Sequence, residues 1–186
     1  YYSVPSEDTV INMTNHSYFN MNGHDSGEVL GQEVQIAAKC FTRADKESIP
    51  TGELTEVAGT PMDFNTKKTI GQDIDEQYEA LIFGQGYDHN WVLDNNGKFG
   101  KAAEMTGDRT GITMEVYTDL PGMQFYTGNF IENEKGKDGA VYKRRHGACF
   151  ETQYFPDAIH KDHFPGPICR AGENYRTCTL YKFSAE

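Results

Sequence analysis

Lys101-Ala102-Ala103-Glu104-Met105-Thr106, then Gly107-Asp108-Arg109-Thr110-Gly111, then Ile112-Thr113-Met114-Glu115-Val116-Tyr117-Thr118 follow one another in this chain, and their reading decides the fold. Two short strand-like runs flank a turn-forming cluster bracketed by glycines, which predicts a hairpin or a connecting turn. The same punctuation recurs along the chain. Nineteen glycines and seven prolines in 186 residues separate short runs rich in Val, Ile, Thr, Tyr and Phe, so the expected class is all-β. Further strands are predicted over residues 10–18, 33–41, 90–93, 123–127, 146–153 and 177–183, with turn signals at Asn95-Asn96-Gly97 and over 133–139. Helical spacing is confined to residues 69–81, where Ile70, Ile74, Tyr78 and Leu81 recur; at most one or two short helices are expected. No internal repeat or convincing boundary interrupts the chain, and a single domain is the default.

Charge narrows the partners. A formal net charge of −11 argues against nucleic acid and against anionic membranes, both of which require clustered Lys and Arg. A neutral or weakly polar ligand fits better. No apolar run approaches the roughly 18 residues of a membrane span, so a soluble protein is expected. Cys40, Cys149, Cys169 and Cys178 form no CxxC pair and are too sparse for a disulfide framework, which predicts reduced, mostly buried thiols. Asn12-Met13-Thr14 and Asn15-His16-Ser17 match the glycosylation pattern, but they overlap the candidate site, so chance matches and a cytoplasmic location are expected.

Strand alternation sorts the polar residues. Within 10–18, Ile11 and Met13 point one way while Asn12, Thr14 and His16 point the other. Glu151 shares a face with Cys149 and Gln153, opposite Phe150 and Thr152; Gln124 shares one with Tyr126, opposite Phe125; Asp88 shares one with Asn90. A curved sheet would gather His16, Asp88, Gln124 and Glu151 into one cleft. Singly, each has a structural explanation: a strand histidine is commonly just hydrogen-bonded, and Asp88 in Gly86-Tyr87-Asp88 reads as a turn residue. Glu151 is harder to explain that way, because an ionised carboxylate in an apolar, aromatic strand needs partners or a purpose. His24, His146, His160 and His163 read as loop or edge residues without chemistry.

Four motifs carry a resemblance: Thr14-Asn15-His16-Ser17-Tyr18-Phe19-Asn20, Gly86-Tyr87-Asp88-His89-Asn90, the Pro121 to Phe130 run Pro-Gly-Met-Gln-Phe-Tyr-Thr-Gly-Asn-Phe, and Glu151-Thr152-Gln153 followed by Phe155-Pro156-Asp157-Ala158. In this order they resemble the aldose 1-epimerases, the galactose mutarotases. The resemblance implies a large antiparallel β-sandwich of the galactose mutarotase-like supersandwich type. It also implies an enzyme that interconverts the anomers of free aldohexoses such as galactose and glucose without a cofactor. By motif match Glu151 is similar to the family's catalytic base and His16 to its catalytic acid. Asp88 and Gln124 match residues that bind sugar hydroxyls; no metal ligands are expected.

The chemistry suits these residue types. A base takes the proton of the C1 hydroxyl while an acid protonates the ring oxygen, so base and acid must lie a few ångströms apart about C1, each about 2.6 to 3.2 Å from its oxygen. Ordinary glutamate and histidine pKa values near 4.3 and 6.5 leave the base ionised and the acid partly protonated near neutrality. Tyr18, Trp91 and Tyr126 are aromatics that would pack on the sugar's C–H face, although for Trp91 core packing is an equal or better reading.

Members of the family are nearly twice this length, with a further histidine and an arginine from the first half contacting the sugar. Residues 1–186 therefore read as the C-terminal portion of one such domain, with reduced activity in isolation and a second copy or the N-terminal half as possible partner. Other chemistries share these residues. They are a non-catalytic sugar-binding module, a glycoside hydrolase using Asp88 and Glu151, and a cupin-like metal site of His16, His89 and Glu151. A phosphosugar epimerase would add an arginine cluster.

Overall fold

The hairpin forms as its turn chemistry dictates. In the computed structural model, which describes residues 1–185, Gly100–Thr106 and Ile112–Thr118 pair antiparallel with Thr106 opposite Thr113. Gly111 takes a φ of 69° and its N–H donates to Gly107 O at 3.0 Å, a conformation a side chain would strain. The turn is also anchored at a distance: Thr110 Oγ1 donates to Met21 O at 2.8 Å and the Arg109 N–H donates to Asn22 Oδ1 at 3.1 Å.

Ten strands build two five-stranded sheets: β1 (Glu33–Ile36), β2 (Ala38–Ala44), β3 (Pro50–Glu56), β4 (Lys68–Thr69), β5 (Asp88–Leu93), β6 (Gly100–Thr106), β7 (Ile112–Thr118), β8 (Gly122–Tyr126), β9 (Cys149–Gln153) and β10 (Thr179–Ala185). One sheet runs β9-β8-β5-β2-β3 and the other β10-β7-β6-β1-β4. Every pairing is antiparallel. The two sheets contribute to one core: Phe41, Trp91, Met123, Phe125 and Phe150 from the first meet Val34, Ile36, Met105, Met114 and Val116 from the second. That is a β-sandwich. Each fully buried large side chain stabilises it by roughly 1.5–3 kcal/mol relative to exposure. Trp91 has no exposed surface and its indole N–H donates to Met62 O at 3.1 Å; it is a core residue and not a sugar platform.

Two expected elements differ. The strand predicted over 10–18 reduces to Thr9–Val10, paired with Ile168–Cys169, and an isolated bridge at Phe19 opposite Ala148. Asparagine chemistry breaks the ladder between them. Asn12 pairs through its side chain, accepting from Tyr154 N at 2.9 Å and donating to Tyr154 O at 3.0 Å. Asn15 Oδ1 accepts the Ser17 N–H at 3.0 Å, an Asx-type turn that competes with strand geometry. The helix predicted over 69–81 is displaced to α1 (Glu79–Gly84). Ile70, Ile74 and Leu81 are buried as their spacing demands, but of the three only Leu81 lies in α1; at the other end Ile70 N and Gly71 N donate to Gln32 O and Leu30 O, which holds that segment against a neighbouring loop in place of a helical ladder. The four cysteines are free, but only Cys149 and Cys169 are buried, Cys40 being half-buried and Cys178 exposed, and no helix among the described residues is long and apolar enough to cross a membrane.

Candidate active site

Register places the site. Tyr126 lies opposite Asp88 on one side and Cys149 on the other, while Gln124 lies between Asn90 and Glu151. With a side-chain period of two, the outer face of three adjacent strands therefore carries Asp88 and Asn90 from β5, Gln124 and Tyr126 from β8, and Cys149, Glu151 and Gln153 from β9. The opposite face sends Trp91, Phe125 and Phe150 into the core. A cleft of about 400 Å³ opens over the outer face, lined by His16, Tyr18, Asp88, Gln124, Glu151 and Gln153 among others. All four residues singled out from the sequence thus meet in one place.

His16 arrives from outside the sheet. The Asx turn at Asn15 and the Phe19–Ala148 bridge, with N–H to O distances of 2.8 and 2.9 Å, fix both ends of the segment that carries it. Its ring lies 5.2 Å from that of Tyr18 and 6.1 Å from that of Tyr126, centroid to centroid. Nε2 stands 3.4 Å from Glu151 Oε1, with the imidazole half exposed at 52 % and the glutamate side chain at 10 %. Burial is the main force on Glu151. It pushes the carboxyl up to about 7, His16 opposing and Asp88 reinforcing the rise. Glu151 is therefore not the fully ionised base that ordinary pKa values imply; it titrates near neutrality.

Asp88 is likewise raised, first by burial, with the Gln124 hydrogen bond and His16 opposing. Gln124 Nε2 donates to Asp88 Oδ1 at 2.8 Å, and Gln153 Nε2 donates to Asn90 Oδ1 at 3.2 Å and to Gln124 Oε1 at 3.4 Å. A chain of carboxamides thus runs under the cleft and orients the Asp88 carboxyl. Asn90 Nδ2 is buried with no protein acceptor.

His89 overturns the cupin-like arrangement. It faces the core, edge-on to Phe41 with the ring planes at 85°, its Nδ1 accepts the Asp88 N–H at 3.1 Å, and burial pushes it down to about 4, so it stays neutral. A different trio, His16, Cys149 and Glu151, brings one ligand-type atom each within 4.8 Å. Burial drives the Cys149 thiol far above its ordinary value, and its Sγ meets His16 Nδ1 at 3.5 Å outside the cleft lining; as a donor set for a metal the trio fits poorly.

Ser48 and Pro156 also line the cleft. Ser48 sits at a φ of 64° in the turn between β2 and β3, where Asp45 Oδ1 accepts the Glu47 and Ile49 N–H groups at 3.0 Å each. The turn is legible from Asp45, but its reach over a distant strand is not. A larger hollow of about 510 Å³ lies beyond Tyr18, walled by Phe19, Ile131, Tyr142 and Phe183, with His24 and His146 at its border. His160 ends a single 3-10 turn over Ala158–His160 beside Asp157, and His163 sits in a loop beside Gly52 O.

A family model described as aldose 1-epimerase matches residues 1–182. The chain is 40% identical over 185 residues to galactose mutarotase of Bos taurus, covering 99% of this chain and 53% of that protein. It is 35% identical over 182 residues to aldose 1-epimerase of Escherichia coli strain K12, covering 95% and 51%. Among solved structures, an aldose epimerase homologue from C. elegans superposes with a TM-score of 0.87 at 25% identity, over 99% of this chain and 54% of that one. Galactose 1-epimerase from Lactobacillus acidophilus does so with a TM-score of 0.82 at 26% identity, over 98% and 51%. The chain spans about half the length of the curated relatives it matches.

Proposed function

We propose that this chain, which belongs to the aldose 1-epimerase family, carries the base, the acid and the hydroxyl-binding pair that interconvert the α and β anomers of an aldohexose such as galactose or glucose. The observation that carries this reading is the 3.4 Å approach of His16 Nε2 to Glu151 Oε1 at the cleft. In the proposed reaction Glu151 takes the proton of the C1 hydroxyl and the protonated His16 gives one to the ring oxygen. The bond from C1 to the ring oxygen breaks, leaving an aldehyde. Rotation about C1–C2 turns the other carbonyl face toward the hydroxyl, which adds back as the two protons return.

Geometry and charge support these roles. The two oxygens share a carbon and so are closer together than the two protein atoms, which lets both groups reach hydrogen-bonding range, about 2.6 to 3.2 Å, from one side of the ring. A carboxyl raised to about 7 by burial is a stronger base than an ordinary glutamate while still substantially ionised at neutral pH. Asp88, held through Oδ1 by Gln124, offers Oδ2 to a sugar hydroxyl in a charge-assisted bond. No step calls on a metal or cofactor.

The same reading assigns residues 1–186 to the C-terminal portion of a single β-sandwich domain, with the N-terminal portion or a second copy as partner and reduced activity alone. The free thiols are compatible with the cytoplasm, the compartment we assign. Polarimetry of freshly dissolved α-galactose tests the function. The chain should speed the approach to anomeric equilibrium, and Glu151→Gln and His16→Asn should each slow it by about 10²–10⁴. Sugar binding that persists while neither substitution slows the exchange would turn the site into a binding module; cleavage of a methyl galactoside would turn it into a hydrolase.

A further inference from the structure

Arg145 is the buried guanidinium among the described residues, 5 % exposed, and its acceptors are neutral. Nη1 donates to Thr127 Oγ1 at 2.9 Å and to Asn129 Oδ1, and Nη2 donates to Gln85 O at 2.8 Å. Burying a cation without a paired carboxylate is costly, and burial accordingly lowers its proton affinity, with Arg144 adding to the effect and Asp75 and Glu28 opposing it. Its backbone is unusual too, with a φ of 68°. A non-glycine residue held there, carrying an unpaired buried charge, points to a role beyond filling space.

The acceptors lie at one end of the site-bearing strands. Gln85, Gly86 and Tyr87 lead into β5 at Asp88; Thr127, Gly128 and Asn129 leave β8 after Tyr126; Arg145 itself leads toward β9. Cross-links tighten the knot. Thr127 N–H donates to Tyr87 O at 3.1 Å, Asn129 Nδ2 donates to Gly84 O at 2.7 Å and to Tyr87 O at 3.0 Å, and Arg145 N–H donates to Gly128 O at 3.1 Å. Gly86, at a φ of 129°, lies against the guanidinium so closely that a Cβ there would overlap Nη1. A planar fork that reaches two chain segments at once suits arginine and not lysine.

We propose that Arg145 is a positioning residue: its guanidinium clamps the entry to β5 and the exit from β8 so that Asp88 and Tyr126 face the sugar in register with Glu151. The consequence for sugar binding rests on the aldose reading; the clamp itself does not. Arg145→Lys keeps the charge and loses the fork, while Gly86→Ala presses on the fork from the other side. Both should weaken galactose binding, followed by NMR titration of the 186-residue chain, by about tenfold. Where turnover is measurable, KM should rise with little change in kcat and no shift in the pH profile, because Glu151 and His16 are not held by the clamp.

Amide exchange separates a local clamp from a general loss of stability, while the KM-against-kcat split and the unmoved pH profile separate positioning from a merely structural role. The Gly86 and Thr127 amides, which donate to Leu81 O and Tyr87 O, should exchange faster in Arg145→Lys, while the Gly107 amide in the distant hairpin, which donates to Ile112 O, should not. Uniform acceleration at all three, or galactose affinity unchanged in both variants, would overturn the clamp. A wild-type chain that binds no aldose would instead count against the aldose reading, and the exchange pattern would still decide the clamp.

Discussion

The two sheets place glutamates on their outer faces and treat them in opposite ways. On the second sheet Glu115 meets Lys101 at 2.7 Å and Lys182 at 2.7 Å, and Glu104 meets Lys101 at 2.5 Å as well as Lys67. Those cations hold Glu115 down at about 2, the Lys101 bond first and the Lys182 bond second. On the first sheet Glu151 has a half-exposed imidazole as its partner and rises to about 7 by burial. Strand, residue type and alternation are alike; the difference is cations on one face and their replacement by amides, aromatics and a thiol on the other. A carboxylate paired with lysines is committed to its charge. One denied them can take up and release a proton near neutrality.

The largest effect expected from this contrast is on rate. Glu151→Gln should cost about 10²–10⁴ in anomerisation, whereas Glu115→Gln, isosteric and on an interior strand of the other sheet, should leave the polarimetric rate within a factor of about two, since its lysine partners lie on that sheet's own outer face and exposed ion pairs contribute little. Equal losses in the two variants would show that the contrast in charge environment does not divide catalysis from scaffold.

A smaller effect belongs to Asp88, which shares Glu151's face but transfers no proton in the proposed reaction. Asp88→Asn keeps the shape and loses the charge that strengthens a hydroxyl bond, so galactose affinity should fall by about 10- to 100-fold, some 1.4–3 kcal/mol, with the acid limb of the pH profile still set by Glu151. A loss confined to kcat, with affinity unchanged by calorimetry, would move Asp88 from binding to chemistry.

Most of the sandwich and nearly all of this face are legible in the sequence because alternation is a local rule. Phe150 and Phe125 inward, with Glu151 and Gln124 outward, follow from neighbouring residues alone. His16 is legible as a residue and not as a place. Its strand dissolves because Asn12 and Asn15 hydrogen-bond to Tyr154 and Ser17 backbone, contacts that span from two to 142 residues of sequence. The helix fails similarly: Ile70 and Ile74 have the correct spacing for burial, but Leu30 and Gln32 carbonyls capture the backbone that would have wound. Ser48 and Arg145 depend on tertiary closure, and no local pattern announces a loop tip over a distant strand or a guanidinium between two chain turns.

Stability against pH offers the finest test, since the two glutamates should give opposite signs. Glu115 is depressed when folded, so its ionised form binds its lysines at neutral pH, and that contribution should fade as pH falls from the ordinary carboxylate range near 4.5 toward about 2. Glu151 is raised when folded, so between about 4.5 and about 7 the native state holds more protons than the unfolded chain, and stability is lost as pH rises through that window. Removing each titrating group should abolish its trend. Glu115→Gln should lower the melting temperature at pH 7 and cost progressively less below pH 4.5. Glu151→Gln should raise it at pH 8, by on the order of 1–3 kcal/mol of unfolding free energy, and give no gain at pH 4. Melting curves of the wild type and the two variants across pH 3 to 8 check both slopes together. Parallel curves for Glu151→Gln and wild type would mean that the glutamate is solvated or otherwise compensated, and the source of its basicity would have to be sought elsewhere than in burial.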